Sequence, residues 1–571
     1  MPGETKIVPP GFAIQVKNRM PLHFKIELDE PENNQPIKNK LNNTEPSKYK
    51  YIPKIFMDCV SPSGGVLSHV NGLLKFCSAE FVNDPAIADK IHWHIGGEHV
   101  PTIATCHGFY TDEFIKYHGK YAEEINKMLF SNLRIAKNVI SVSNWVRDEL
   151  LKKDIDSTVI RSGIDTTEFY NKQSKDFGLF ISYDCPEKNI KDAIEIARCS
   201  KDIKFIFIIN NASKFNIPKN VKVLDFPQPH SNVKELLATC SFLLITSLQE
   251  SGPIIAMEAM ASGKPIVGYN ARGLNELVVD NICGLLSEPG DIKTMIKNAE
   301  ICLADGHSRA LKIQKYSRVF DWRLIAEQID TIYRDGSLPK TSAIILACNN
   351  EKTLNRTFES LPSWVELCVG DVDGEHCSIE PSHGNFDYPE KRITIKNTNP
   401  AANRNQIAKI ATGKYLTILD ADDFRLPGSL EYQVAYMELH PDVCATVAGC
   451  YRDVPGKVLW DIDVVKEIPA DKWWGGNCMA HGSLVVRKSV FDAIGGYDPK
   501  LAYCEDYDLG WRLCDYAVAH SLKMVLLPII AYAWTYNPDG RSTDVEADEK
   551  YKKIVIKNAE NRNGKNSHKH K

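Results

Sequence analysis

No stretch of this sequence reaches the roughly 18 consecutive apolar residues that a membrane-spanning helix needs. The best candidate, "MVLLPIIAYAW" (Met524–Trp534), is too short, contains Pro528 and reads as a pair of buried strands. Any membrane contact is therefore expected to be peripheral. The sixteen cysteines include no Cys-x-x-Cys pair and have no histidine at zinc-ligand spacing. With no signal peptide at the start, they read as reduced thiols of a cytoplasmic protein. Neither sign of charge dominates: 69 basic residues stand against 73 acidic ones, a formal net charge of −4. That balance gives no reason to expect nucleic acid or an anionic membrane as a partner, although local patches stay open. No internal repeat of solenoid length is found.

What the sequence does contain is alternation. At 571 residues the chain is too long for one core and divides into three or four domain-sized units. Residues 1–51 form an N-terminal extension, with hairpin-like runs "FAIQVKN" and "LHFKIEL" before a polar linker. From Ile52 short apolar strands alternate with amphipathic helices, the signature of parallel α/β sheets. The strands "KIFMDCV", "TIATCHG", "NVISVS" and "STVIRSG" define a unit over 52–170. A second series, from "FGLFISY" to "CGLLSE", spans 171–335 and closes with the helix "DWRLIAEQIDTIYR". "DGSLPKT" is a connector punctuated by Gly and Pro. A third series, opening with "SAIILACNN", covers 341–540, and residues 541–571 form a polar tail whose last stretch, "NAENRNGKNSHKHK", is basic and expected to lack order. The expected fold class is α/β.

Two segments carry chemistry. The first, "ITSLQESGPIIAMEAMASGKPIVGYN" (Ile245–Asn270), reads as strand, turn, helix and strand. Gly252 and Pro253 mark the helix start, and Gly263 suits its C-terminal cap. Glu250 precedes the helix and Glu258 lies within it, eight positions later. The amides of Ser251 and Gly252 form an anion site at the positive helix end. An acid at each end of such a site can accept hydrogen bonds from sugar hydroxyls. In the plainer alternative Glu250 complements the dipole and Glu258 is a solvated helix residue. "AMEAMA" is apolar, however, and an unpaired carboxylate there is costly.

This segment resembles the E-x7-E motif of family 4 glycosyltransferases, retaining enzymes of GT-B fold. "SPSGGVLSHV", "TCHGFY", "VISVSNWVRDEL", "VIRSGIDTTEF" and "CPEKNI" match further motifs in the family's order, over about residues 52–335. The resemblance implies that Glu258 holds the donor ribose, Glu250 the transferred sugar and Lys188 the diphosphate. It also implies that Gly64 and Gly65 let backbone approach the donor phosphates, and that His107 lies near the reacting sugar. No cofactor is expected in this half. The family carries an Arg five positions before this Lys, where this chain has Tyr183. Tyrosine lacks the guanidinium fork that grips phosphate. Either another base substitutes, with Arg161 a candidate, or this half is slow or inactive.

The second segment, "KYLTILDADDF" (Lys414–Phe424), ends an apolar strand in Asp420, Asp422 and Asp423. Like charges at short range raise one another's pKa or need a cation between them. A turn or helix cap would use one such carboxylate, not three in four positions. Over about residues 341–540 the chain resembles family 2 glycosyltransferases, inverting enzymes of GT-A fold, through "SAIILACNNEKTLNRTFESL", "CVGDVDG", "NPAANRNQIAKIATGKYLTILDADD" and "GGYDPKLAYCEDYDLGWRL". The resemblance implies that Asp371 meets the nucleotide base with Asp373 nearby, and that Arg404 lies near the donor. Asp420 and Asp422 take the two positions of the D-x-D motif, binding Mn²⁺ or Mg²⁺ shared with the donor diphosphate. Asp506 becomes the general base, with Glu505 beside it. The alternative for "CEDYDL" is a charged first helical turn. "WWGGN" (Trp473–Asn477) stacks on sugar or packs in a core, and His481, Trp534 and Arg541 leave the third metal ligand open.

These readings converge on a bifunctional glycosyltransferase taking nucleotide sugars, UDP-sugars by default. The acceptor is a glycan, a lipid-linked sugar or a protein, with nucleic acid disfavoured. The front half is expected to retain configuration, and the rear half to invert it with a metal. In the alternative only 341–540 is catalytic and the front half binds glycan or acts as a scaffold. A pure carbohydrate-recognition protein is the third reading, against which the intact D-A-D and Glu-Asp segments argue.

Overall fold

The computed structural model describes residues 51–59, 64–94, 99–305, 309–347, 351–372, 390–396, 399–452, 457–459, 466–468, 480–535 and 544–563. The hairpin expected before residue 51 lies outside them. The architecture is α/β, built on three sheets. The first holds β1 (Lys54–Asp58), β2 (Glu80–Val82), β3 (Lys90–Trp93), β4 (Ile103–Cys106), β5 (Asn138–Ser141) and β6 (Thr158–Val159). Their order is β2-β1-β3-β4-β5-β6, parallel throughout. The second holds β7 (Phe177–Ser182), β8 (Lys204–Ile209), β9 (Val221–Asp225), β10 (Phe242–Ile245), β11 (Ile266–Tyr269) and β12 (Gly284–Ser287). It is also parallel, in the order β12-β11-β10-β7-β8-β9. Every residue of β4, β10 and β11 is buried. Helices cover both faces of such sheets, so these strands read as unbroken apolar runs rather than as alternation.

The third sheet is mixed. β13 (Thr341–Ala347), β14 (Glu366–Val372), β15 (Glu390–Ile395) and β16 (Tyr415–Asp420) are parallel, and β21 (Val485–Arg487) joins β16 antiparallel. Beyond it lie β18 (Val443–Arg452) and β22 (Lys523–Trp534), with β17 (Phe424–Arg425) at the edge, and β19 (Lys457–Leu459) and β20 (Lys466–Glu467) appended. The strand pair expected in Met524–Trp534 is instead the single strand β22. Its ladder with β18 jumps from Leu527 opposite Ala448 to Ile530 opposite Gly449, so Pro528 falls in the irregularity. Proline has no N–H to give a ladder, and a bulge is where a strand tolerates it.

A second expectation also changes. Part of the supposedly unordered tail is a helix, Val545–Asn563. Val555 and Ala559 are four residues apart, fully buried, and join the core formed with Leu509 and Leu513 of the helix Glu505–Ala519. Arg562 reaches Asp508 at 3.2 Å and Asp515 at 3.4 Å. An apolar stripe at helical spacing, docked on a partner, outweighs polar composition. Among the described residues no helix is long and apolar enough to cross a membrane.

The helix Trp322–Asp335 returns the chain from the second sheet to the first. Asp321 caps it by accepting from Arg323 N at 2.9 Å. Its buried face (Trp322, Ile325, Ile329, Ile332) packs with Ile55, Leu73 and Ile103 of the first unit and with Ala435 of the helix Ser429–Leu439 in the third. Trp322 is wedged between two glycines. A Cβ at Gly72 would lie 2.0 Å from the indole, and one at Gly163 would lie 2.7 Å from it. At the same junction buried Arg161 stands 3.4 Å from Glu276 of the second unit and 3.6 Å from Glu431 of the third. Lys312 Nζ donates to Tyr451 Oη at 3.0 Å.

Trp322→Ala empties this wedge and is expected to cost about 3–5 kcal/mol. Calorimetry of the full chain checks it, and an unchanged thermogram would refute the wedge.

Candidate functional site

Open α/β sheets present ligands at the C-terminal ends of their strands, and the chemistry-bearing residues lie there. In the front half the Glu250–Gly252 turn follows β10 and meets the segment after β4. Gly108 has φ +131°, and a Cβ on it would lie 2.2 Å from Ser251 Oγ. Gly273 has φ +77°, and its Cβ would fall 1.8 Å from the Glu250 carbonyl oxygen. Both the left-handed backbone and the close approach require glycine. Gly65, in the first turn of the helix Gly64–Phe76, faces Ile254, with 3.4 Å from an added Cβ to its Cδ1. The helix carrying Glu258 runs Ile254–Ala261, so Pro253 is its N-cap rather than a first-turn residue. Thr111 Oγ1 donates to Gln249 Oε1 at 3.2 Å, and His118 Nε2 lies 2.6 Å from Glu187 Oε1. These contacts bridge the two lobes.

Lys188 ends the short turn Pro186–Lys188, and its ammonium is paired with Glu250. Burial opposes its charge, but the Glu250 carboxylate outweighs that and holds the ammonium above its ordinary pKa. The Tyr183 ring centroid is 5.9 Å from Lys188 Nζ. Arg161, the candidate substitute for the missing arginine, is held between Glu276 and Glu431. Glu276 also accepts from the amides of Asn144 at 2.6 Å and Trp145 at 2.7 Å, at the start of the helix Asn144–Leu151. Glu258 Oε1 lies 3.2 Å from His230 Nε2, a partner that no spacing in the sequence announces. That contact raises the imidazole's pKa. His107 Nε2 lies 3.0 Å from His94 Nδ1. Burial lowers His107 to about 4, which keeps the ring neutral near pH 7.

In the rear half the register sets Asp371 opposite Ala347, and Asp420 opposite Leu346. The two acids therefore flank the end of β13. Asp373 lies outside the described residues, as do Trp473, Asn477 and Arg541. Arg404 is buried and divided between two carboxylates, Asp420 at 2.7 Å and Glu505 at 2.8 Å. Burial works against the guanidinium charge, and the pair of acids overrides it. Burial, then the Asp420 charge, raises Asp422. Asp423 is turned inward, accepting from Thr535 N at 2.9 Å, while Thr357 Oγ1 donates to the carbonyls of Ala421 at 3.0 Å and Asp423 at 2.7 Å. The third aspartate thus fixes the turn that presents the first two.

The first turn of Glu505–Ala519 sorts its acids in the same way. Glu505 faces Arg404, and Asp508 is fully buried against Arg512 at 2.6 Å and Arg562 at 3.2 Å. Asp506 stays partly exposed, with Oδ1 accepting from Tyr507 N at 2.8 Å. Cys504, with φ +57°, takes the left-handed conformation that turns the chain into this helix. His481 lies within the electrostatic reach of Arg404, Asp420, Asp506 and Glu505, and its ring is 2.7 Å from Tyr497 Oη. Burial, then Arg404, holds it below the ordinary histidine value. Tyr497, beneath the Arg404 guanidinium at 5.8 Å, went unnoticed in the sequence because it lies inside a glycine turn motif. Trp534 faces Arg452 instead, at 4.8 Å.

A model of Glycosyltransferase Family 4 matches residues 83–168, and one of Glycosyl transferases group 1 matches 170–320. Glycosyl transferase family 2 matches 342–495. Relatives include an uncharacterized glycosyltransferase of Methanocaldococcus jannaschii, 27% identical over 42% of this chain and 69% of its own length. An N-acetyl-alpha-D-glucosaminyl L-malate synthase of Bacillus anthracis is 25% identical over the same shares. A D-inositol 3-phosphate glycosyltransferase of Corynebacterium efficiens is 27% identical over 23% of this chain, and only 33% of that relative is spanned. Among solved structures, Anabaena HepE in complex with UDP-glucose aligns with 49% of this chain and 98% of its own, at 18% identity and a TM-score of 0.39.

Arg404→Leu is expected to destabilise the chain by about 3–5 kcal/mol, because a buried carboxylate loses its partner. Most of that falls on Glu505, since Asp420 is 40% exposed and can rehydrate. A thermal midpoint equal to that of the parent would exclude this account.

Proposed function

The chain carries glycosyltransferase domains of two families, a GT-B pair in front and a GT-A domain behind, and from that premise we propose that both halves transfer sugars from nucleotide-sugar donors. The acceptor is a glycan or glycoconjugate hydroxyl, and UDP is the proposed nucleotide. The observation that carries the rear site is the pair Asp420 and Asp422 at the end of β16, where burial, then the Asp420 charge, raises Asp422. Two carboxylates at a strand end are hard oxygen donors, so Asp420 and Asp422 fit a Mn²⁺ or Mg²⁺ ion that would be shared with the donor diphosphate. A bound divalent cation offsets the charge developing on the departing nucleoside diphosphate.

The chain's own residues do the rest. Asp420 and Asp422 hold the ion, and Arg404 fixes Asp420 and Glu505 at their stations. Asp371 takes the nucleotide base. Asp506 accepts the proton of the attacking hydroxyl, worth about 10²–10⁴ in rate. Attack from the far face of the sugar inverts the anomeric centre. In front, Glu258 binds the donor ribose, Lys188 the diphosphate and Glu250 the transferred sugar. Ser251 and Gly252 offer amides at the helix end, Gly64 and Gly65 admit the phosphates, and His107 lies at the reacting face, with retention the outcome. A second reading, in which only the rear domain transfers, is favoured by Tyr183 beside Lys188 with no arginine in its place.

Full-length variants separate the two. Asp422→Ala is expected to reduce one linkage at least ~100-fold, and Glu250→Gln to remove the other. Anomeric couplings of the products by NMR report which. A single configuration under every donor supplied would overturn the two-site reading, and a product set indifferent to Glu250→Gln would leave the rear domain as the enzyme.

The His230–Glu258 contact adds a pH dependence. Hydrogen bonding to Glu258 raises His230, so the imidazolium competes with ribose for Glu258 at low pH and lets go as pH rises through the raised pKa. The front donor KM is expected to fall as pH rises through that raised value, above the ordinary histidine range. His230→Ala should flatten that profile, and an equal slope in both proteins would exclude the competition.

A further inference from the structure

Beneath the front cleft the first unit gathers three histidines that the transfer reading does not use as a group. His69 lies on the helix Gly64–Phe76, His94 follows β3 and His107 follows β4. One ring nitrogen from each can be chosen so that all lie within 4.8 Å of one another. Among the described residues no other group of three or more His, Cys, Asp or Glu is brought together in this way. His69 and His94 are wholly buried, and the Nε2 of each has no hydrogen-bond partner. An unpartnered polar atom in the interior costs about 1–3 kcal/mol. Ring stacking alone gives no reason for two of them side by side.

The other nitrogen of His69 is already occupied. Its Nδ1 lies 3.1 Å from Ser162 Oγ, the kind of outer contact that fixes the tautomer of a ligand histidine and leaves Nε2 as the donor. His94 Nδ1 and His107 Nε2 are 3.0 Å apart. A tetrahedral ion with bonds of about 2.0–2.1 Å needs nitrogens about 3.3 Å apart, so the widest separation has to close by roughly 1.5 Å. His107 is the partly exposed member of the group.

We propose that His69, His94 and His107 bind one first-row transition cation of the Zn²⁺ class, with its fourth position open toward the front cleft. Three imidazoles without a carboxylate favour such an ion over Mg²⁺ or Mn²⁺, the reverse of the rear aspartates. The sequence led to no metal in this half, because the ligands come from three separate elements. Binding does not depend on the transfer reaction. It does engage His107, so Zn²⁺ and a sugar that uses His107 exclude each other.

The test is a titration of chelator-stripped full-length protein with Co²⁺, read by visible absorption. One equivalent is expected to give the bands of four-coordinate Co²⁺, discharged by Zn²⁺ and untouched by excess Mg²⁺. His69→Gln should abolish the bands, while Asp422→Ala keeps them. The sequence also ends with His568 and His570, so a variant with both changed to Ala must keep them too. Absence of the bands, their survival in His69→Gln, or their loss with the terminal histidines would each overturn the site. If His69→Gln does not fold, Ser162→Ala replaces it. That change should weaken Co²⁺ binding about tenfold or more, and unchanged affinity would refute the proposal.

Discussion

A carboxylate taken out of water needs a cation near it, and both candidate sites are arranged around that requirement. In front, Glu250 has Lys188. Behind, Glu505 and one oxygen of Asp420 share Arg404, while Asp508 has Arg512 and Arg562. Once these pairs are drawn, the remaining acids separate by role. Asp423 is held by a backbone amide and shapes the turn, whereas Asp422 keeps a raised pKa from burial and from Asp420. The arrangement thus sets Asp423, held by a backbone amide, apart from Asp420 and Asp422 within four residues of chain.

Much of this was legible in the sequence because parallel strands buried on both faces appear as short apolar runs. The D-A-D triplet and the two glutamates eight apart are local patterns, and local patterns survive in one dimension. What escaped was set by long-range pairing. His230 meets Glu258 through the packing of two helices, and Arg161 finds Glu276 and Glu431 from two other units. Pro528 was expected to divide a strand that a bulge keeps whole. The terminal helix was hidden because its apolar stripe is thin, and only the facing helix makes it sufficient.

The front half also shows how glycine builds a site without contributing a side chain. Gly108 and Gly273 press the Glu250–Gly252 segment from two sides, each in a left-handed conformation. The turn is therefore held by the Glu250 carbonyl against Gly273 at one contact and by the Ser251 side chain against Gly108 at the other. Tyr183 stands beside Lys188, next to that scaffold.

The junction around Arg161 carries a consequence for ancestry. Two domains joined by a loose tether can be separated again by any break in the tether. Here the helix Trp322–Asp335 shares a core with Ala435, and Arg161 would lose one of its two acids with the rear domain gone. A gene divided near codon 338 would yield a front product with an apolar scar and a rear product whose buried Glu431 keeps Arg425 but loses Arg161. A substitution on either side of this junction is therefore felt by the packing of the other.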